Sequence, residues 1–246
     1  EFKNADVVHC HNLHTNYFNL NTLQKISALK PVVWTFHDMW PITAHCAHAF
    51  DGPLKDNGFF TCPSLNIYPP IAWHNEKYLE NKKAGIYANS NFHIVTPSKW
   101  LAEKISRGVL KNKPLSVIYN GIDTEIFRPL PQKRCRKEFG LSQDKKIVLV
   151  VAKRGQLNPW KGGNYAQEIM DAYKNNPAVY FVDLGGDENK TEANTKTVSY
   201  VNNQETLAKY YSAADMLLYP SLADNCPLVI LEAMAWGTPV ITSNRG

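Results

Sequence analysis

The sequence predicts an α/β protein made of two domains, each a parallel sheet with helices on both faces, with a cleft between them. Three observations carry this. Short apolar runs alternate with helix-period segments along the whole chain, the pattern of strands joined by crossover helices. Some runs, such as Ile147–Ala152 (IVLVVA), are apolar without interruption, as strands buried on both faces are. The pattern then breaks near Ile122–Lys133. There a turn signal, Asn120-Gly121, precedes Arg128–Pro131 (RPLP), which neither a helix nor a central strand accommodates. The expected domains are therefore residues 1–125 and 126–246.

The elements follow in order. Asp6–Cys10 and Pro31–Phe36 read as strands flanking a helix over Leu20–Leu29. Asp38 to about His74 has little periodicity. A stretch of about 35 such residues inside a compact domain is usually a lid or binding loop. Helices are expected over Glu76–Asn89 and Lys99–Arg107, alternating with strands His93–Thr96 and Leu115–Tyr119. The second half opens with a helix over Lys133–Phe139 and continues with the strand Ile147–Ala152. Helix Asn164–Lys174, strands Val179–Leu184 and Thr197–Val201, helix Glu205–Ala213 and strand Met216–Tyr219 come next. Helix Leu228–Trp236 and strand Val240–Thr242 close the chain.

The bulk numbers describe a globular chain of 246 residues, 44% hydrophobic and 20% charged. No apolar run approaches the roughly 18–20 residues of a membrane span. The net charge of +5 is spread over both halves. It permits an anionic ligand or contact with a membrane surface, and no basic patch points to nucleic acid. Five cysteines, odd in number and unevenly spaced, argue against a disulfide framework and for a reducing compartment. All eight histidines fall within the first 93 residues, so the two halves differ chemically.

The richest chemical signal is the closing segment Pro220–Gly246. Glu232 is the one charged residue between Cys226 and Trp236, and Asp224 precedes it by eight positions. A carboxylate in an otherwise apolar helix is costly unless something compensates it. Leu228, Val229, Ala235 and Trp236, one turn away on either side, give no solvated stripe. Such a carboxylate can accept hydrogen bonds from the vicinal hydroxyls of a ribose, and Asp224 can hold sugar hydroxyls. Asn225 or Cys226 is the expected cap, Pro227 fits the first turn and Gly237 the stop. The helix then starts at the carboxyl end of a strand, where open α/β sheets bind ligands and free N–H groups attract phosphate.

Arg154 and Lys161 follow the strand Ile147–Ala152, with Gly162-Gly163 before the next helix. As surface cations they need no function. At the ligand edge of a sheet, opposite a helix N-terminus, they form a diphosphate site. Neither a Walker loop nor a GxGxxG fingerprint is present. In the first half, His9 and His11 sit at one strand end and His37 and Asp38 at the next. Packing at the strand edge accounts for His9 and His11 as well as function does. His37, at the start of the long loop, can reach a ligand phosphate or hydroxyl. His45, Cys46, His48 and Cys62 are zinc-ligand types, but their spacing fits no compact zinc pattern.

The segments DVVHCHN, WTFHDMWPIT, VTPSKWLA, YNGIDTEIF, Arg154…Lys161-Gly162 and ADNCPLVILEAMAWGTPVI together sample nearly the whole chain. On them, the protein resembles retaining glycosyltransferases of the GT-B fold, similar to glycosyltransferase family 4 of the bacterial polysaccharide type. The resemblance implies two Rossmann-like doubly wound domains facing a cleft. It assigns Arg154 and Lys161 to the donor diphosphate, Glu232 to the donor ribose and Asp224 to the first acidic position of an E-x7-E motif. It turns the backbone of Asn225, Cys226, Pro227 and Leu228 toward sugar and phosphate, and lets His37 line the cleft. It implies a UDP- or GDP-sugar donor, a saccharide or lipid-linked saccharide acceptor, no essential metal or other cofactor, and no nucleic acid. It places the protein in the cytoplasm, with peripheral contact at the inner face of the membrane. Asp224 shortens the usual Glu by one methylene, which bears on sugar specificity. Relatives often carry four cysteines in the long loop, where only Cys46 and Cys62 stand here. Against the family pattern the chain begins inside the first domain and stops just after the motif helix. The expectation is a fragment lacking both ends, with each domain incomplete. Two other readings stay open: a nucleotide-sugar-binding module without turnover, and a metal-dependent hydrolase built on the His/Cys loop.

Overall fold

The computed structural model describes residues 2–14, 17–151 and 159–245. The chain divides into two compact units, one running through Asn120 and the other Gly121–Arg245. The boundary thus lies a few positions before the one expected at residues 125/126.

The first unit is a four-stranded sheet in the order β1 (Val8–His11), β2 (Val32–Thr35), β3 (His93–Thr96), β4 (Leu115–Val117). Every pairing is parallel, so the carboxyl ends of the strands share one edge. Helices α1 (Thr22–Leu29), α2 (Glu76–Ala88) and α3 (Lys99–Arg107) supply the crossovers. Ser98 caps α3 by accepting from the Leu101 N–H at 3.2 Å, and Lys104 and Arg107 meet the negative end of its dipole. Trp34 anchors the core, with Phe36, Tyr87 and Phe92 edge-on around it. Each such buried aromatic contributes about 1.5–3 kcal/mol of transfer free energy.

The long aperiodic segment is not a free lid. Its start and middle are tied to α2 by buried polar side chains. Lys83, 4% exposed, donates to the carbonyls of Trp40 at 2.6 Å and Thr43 at 3.0 Å and lies over the Trp40 ring. Burial pushes its ammonium pKa well below the usual lysine range. The buried Glu80 accepts from Lys55 at 2.6 Å and Asn57 at 2.7 Å. Tyr87 donates to Pro41 O at 3.0 Å. Cys46 and Cys62 are joined by a disulfide within the segment, where the cysteine count had argued against a disulfide framework. Of the loop aromatics, Phe59 and Phe60 are buried, while Tyr68 and Trp73 are exposed.

The second unit is a six-stranded sheet in the order β10 (Val240–Thr242), β9 (Met216–Tyr219), β5 (Lys146–Val151), β6 (Val179–Gly186), β8 (Thr195–Ser199), β7 (Lys190–Glu192). All pairings are parallel except β7 with β8. That short antiparallel edge strand, KTE, is wholly polar and exposed, which is why no hydrophobic pattern announces it. Helices α4 (Gln132–Glu138), α5 (Gly163–Ala172), α6 (Gln204–Ala213) and α7 (Leu228–Ala235) pack on the sheet. Arg136 fixes α4: its guanidinium, 4% exposed, donates to Ala213 O at 2.9 Å and to Asp215 Oδ2 at 2.7 Å. Asp215 Oδ2 in turn accepts from the Ile147 N–H at 2.7 Å.

At α7 the expected cap is corrected. Pro227, extended, occupies the N-cap position in place of Asn225 or Cys226, and it supplies no side-chain cap hydrogen bond. Gly237 stops the helix at φ 73°, as expected.

Candidate active site

A pocket of about 400 Å³ opens on the second unit where β5, β6 and β9 end and α7 begins. It is built on a close approach between two loops. Gly162 precedes α5 with φ 68°, a left-handed backbone that glycine adopts without cost. A Cβ there would overlap the carbonyl oxygen of Pro220, so only glycine lets the loops meet. The short 3-10 turn Pro159–Lys161 is docked in the same way. The Trp160 carbonyl accepts from Leu222 N–H at 2.9 Å and Ser221 Oγ at 3.2 Å. This docking carries Lys161 to the loop that holds Asp224.

Lys161 Nζ donates to the Tyr219 hydroxyl at 2.9 Å and forms an ion pair with Asp224 Oδ2. The Tyr219 hydroxyl also donates to Asp224 Oδ2. Burial, and after it the Asp224 carboxylate, hold the Tyr219 phenol well above its usual pKa, so it stays a donor. Lys161 and Asp224 are both only partly buried. Their pairing leaves an ammonium that an anion can take over and a carboxylate that can turn to hydroxyls.

Glu232 sits one face along. Tyr211, fully buried on α6, donates to Glu232 Oε2 at 2.8 Å. Burial raises the Glu232 pKa, and the Tyr211 hydrogen bond partly offsets that. This answers the sequence puzzle of one carboxylate in an apolar helix: a tyrosine from a different helix compensates it. Lys161, Asp224, Cys226, Pro227, Leu228 and Glu232 line the pocket together; Asn225 does not. Leu184, Gly185, Tyr200 and Val201 contribute to its wall with Tyr219 and Leu207. Pro227, Leu228 and Val229, at the start of α7, line the pocket, and the helix dipole gives that end a partial positive charge. Arg154 lies outside the described residues.

On the first unit, the carboxyl edge of β1 and β2 gathers four histidines. His9 and His11 share one face of β1, two residues apart, and His11 is in register with Thr35. His11 Nδ1 and His37 Nε2 are 2.8 Å apart, so one donates and the other accepts. Their rings stack at 5.1 Å, and His9 stands 4.1 Å from His11. Burial lowers both the His11 and the His37 pKa; His9 lowers them further, while Asp38 acts in the opposite direction on His37. His14 Nε2 meets Asp38 Oδ2 at 2.8 Å, and Asp38 Oδ1 accepts from Trp40 N–H at 2.8 Å. The sequence pointed to His37 but not to its bond with His11. The parallel register of β1 and β2 supplies that link.

Among the described residues there is no group of three or more His, Cys, Asp or Glu that could hold a metal ion. The His/Cys segment in particular cannot offer thiolates, because Cys46 and Cys62 are bonded to each other. Nor is any described helix long and apolar enough to cross a membrane.

Comparison with known proteins gives two family matches. Residues 1–126 match "Glycosyltransferase Family 4", and residues 145–246 match "Glycosyl transferases group 1". WcaC of Escherichia coli (strain K12), a glycosyl transferase provisionally assigned to colanic acid biosynthesis, is 27% identical over 97% of this chain and 60% of its own length. The D-inositol 3-phosphate glycosyltransferase of Mycolicibacterium smegmatis is 29% identical over 87% of this chain and 50% of its own. The chain thus spans about half the length of the curated relatives it matches. Among solved structures, Anabaena Alr3699/HepE in complex with UDP-glucose superposes with a TM-score of 0.62 at 17% identity, over 98% of this chain and 60% of that one. Sucrose-phosphate synthase from Thermosynechococcus elongatus superposes with a TM-score of 0.63 at 19% identity, over 98% of this chain and 56% of that one.

Proposed function

The chain belongs to glycosyltransferase family 4, and from that premise we propose that it moves a sugar from a nucleoside diphosphate sugar to an acceptor hydroxyl, with retention, in cell-surface polysaccharide biosynthesis. One observation carries the reading: an ammonium, Lys161, and two carboxylates, Asp224 and Glu232, line one pocket at the carboxyl ends of the strands. A diphosphate, a sugar and a ribose need those groups in that order. The ligands of HepE are of this donor class.

In this reading the diphosphate replaces Asp224 as the partner of Lys161, and Arg154 adds a second cation. The N–H groups of Leu228 and its neighbours face the phosphates, and Glu232, steadied by Tyr211, accepts from the ribose hydroxyls. Asp224, released, accepts from hydroxyls of the sugar being transferred. When the bond between the anomeric carbon and the phosphate oxygen breaks, the negative charge that develops on the diphosphate is met by Lys161. The acceptor oxygen attacks from the same face, and its proton passes to the departing phosphate. His37 serves the acceptor side, taking a saccharide or lipid-linked saccharide hydroxyl. No metal or other cofactor has a part in these steps. Peripheral contact with a membrane surface belongs to the same proposal.

The test is transfer itself. UDP-glucose and GDP-mannose are incubated with the protein and an oligosaccharide acceptor, and the anomeric configuration of the product is read by NMR. The expected product keeps the configuration of the donor, and Lys161→Ala lowers the rate by about 10²–10³. Inversion would overturn the mechanism. Saturable binding with neither hydrolysis nor transfer would instead support the non-catalytic binding module.

A further inference from the structure

A second cavity, of about 580 Å³, lies elsewhere on the second unit, between α5 and the β7–β8 hairpin, and shares no lining residue with the donor pocket. It is polar. Five carboxylates line it, Asp171, Asp183, Asp187, Glu188 and Glu192, against two ammonium groups, Lys174 and Lys190. Two of these charges are already engaged with each other, Lys190 with Glu192 at 3.3 Å, and Asp171 accepts from Gln167 at 3.1 Å.

The unusual member is Asp183. It stands on β6 in the middle of the sheet, on the face where Phe181 packs with Val148, Val150 and Met170. It is 3% exposed, it lines the cavity, and its Oδ1 is buried with no hydrogen-bond partner among the described residues. Buried polar atoms are nearly always paired, and an unpaired carboxylate oxygen is among the most costly to leave so. Asp187, Glu188 and Glu192, by contrast, are exposed at the rim. The carboxylates therefore stand in two tiers, one buried and several solvated, with an excess of negative charge. No three of the His, Cys, Asp and Glu described converge as a metal site.

We propose that this cavity binds a small organic diamine or polyamine, one ammonium donating to Asp183 at the floor and a second lying among the rim carboxylates. A primary ammonium brings three donors to an oxygen that lacks one, and a flexible chain spans floor and rim. The cavity is of the size that takes small organic ligands. Asp183 is also held up to about 6 by its burial, with Lys190 acting against the shift. Below that pH the carboxyl is protonated and the ammonium loses its counter-charge. The other groups lining the cavity from α5, the turn after β6 and the hairpin are Asp171, Lys174, Asp187, Glu188, Lys190 and Glu192.

The experiment is an NMR titration of the chain with 1,4-diaminobutane and, separately, spermidine at pH 7.5. Its controls are 1,4-butanediol, which has the shape without the charge, and magnesium chloride. Saturable amide shifts confined to residues 167–174 and 183–197 are expected for the amines alone. Asp183→Asn should weaken binding at least tenfold, and moving to pH 5 should weaken it similarly. No saturable shift below 10 mM, roughly the weak limit for a specific site, would overturn the proposal. So would equal binding by the diol or by magnesium, or an unchanged affinity in D183N. Should D183N fail to fold, the pH arm on the unaltered chain decides the matter. Binding of UDP is followed in the same samples. A loss of one site without the other separates this proposal from the donor-pocket reading.

Discussion

Glu232 and Lys161 each depend on a tyrosine that the sequence did not single out. Tyr211 donates to Glu232, and Tyr219 lies between Lys161 and Asp224. Removing the Tyr211 hydroxyl leaves the Glu232 carboxylate half-buried without its donor. Such a loss costs about 1–3 kcal/mol for a buried group. Tyr211→Phe is therefore expected to weaken UDP binding by about tenfold, read by calorimetry, with Glu232→Ala weakening it further. Asp183 gives a pH signature of its own. Its folded pKa of about 6 lies above the ordinary aspartate value of 3.8, so between those values the folded chain holds a proton that the unfolded chain has released. Its stabilising contribution is thus present at low pH and lost as pH rises through about 6. In the absence of amine, Asp183→Asn should stabilise the chain above pH 7 by about 1–3 kcal/mol. The gain should shrink toward pH 4.5 in urea melts at the two pH values.

At the scale of elements, the two loops that build the donor pocket are held by backbone contact rather than by side chains. Gly162→Ala combines a left-handed φ, worth about 1–2 kcal/mol against an L-residue, with an overlap at Pro220 O. The loop carrying Asp224 must then shift. A lower melting temperature together with weaker UDP binding is the expected outcome, whereas a variant with native affinity would mean the docking does not position Lys161. In the first unit, the segment from Asp38 to His74 is held by α2. Lys83→Ala leaves the carbonyls of Trp40 and Thr43 without their donor, at a cost of about 1–3 kcal/mol measurable by denaturant titration.

At the scale of the molecule, most of the α/β pattern is legible in the sequence because strands such as β2, β3, β5, β6 and β9 are largely apolar runs, and β3, β6 and β9 end at proline or glycine. The same holds for the α7 segment, where one charge stood out against an apolar background. What escaped had no local signal. β7 is three polar residues whose strand character comes only from pairing with β8. The cap of α7 fell to Pro227 because the preceding loop runs into the helix extended, and composition does not report backbone angles. The long segment's order comes from Lys83, Glu80 and Tyr87, whose partners lie more than twenty residues away in sequence. The tie between His11 and His37 likewise required the register of β1 against β2.

The central claim is that Lys161, Asp224 and Glu232 form one nucleoside-diphosphate site. Calorimetric titration of UDP and GDP into the chain, and into its Lys161→Ala and Glu232→Ala variants, tests it most directly. One saturable site is expected for one of the two nucleotides, weakened at least tenfold by either substitution while the melting temperature is kept. Affinity unchanged in both folded variants would contradict it.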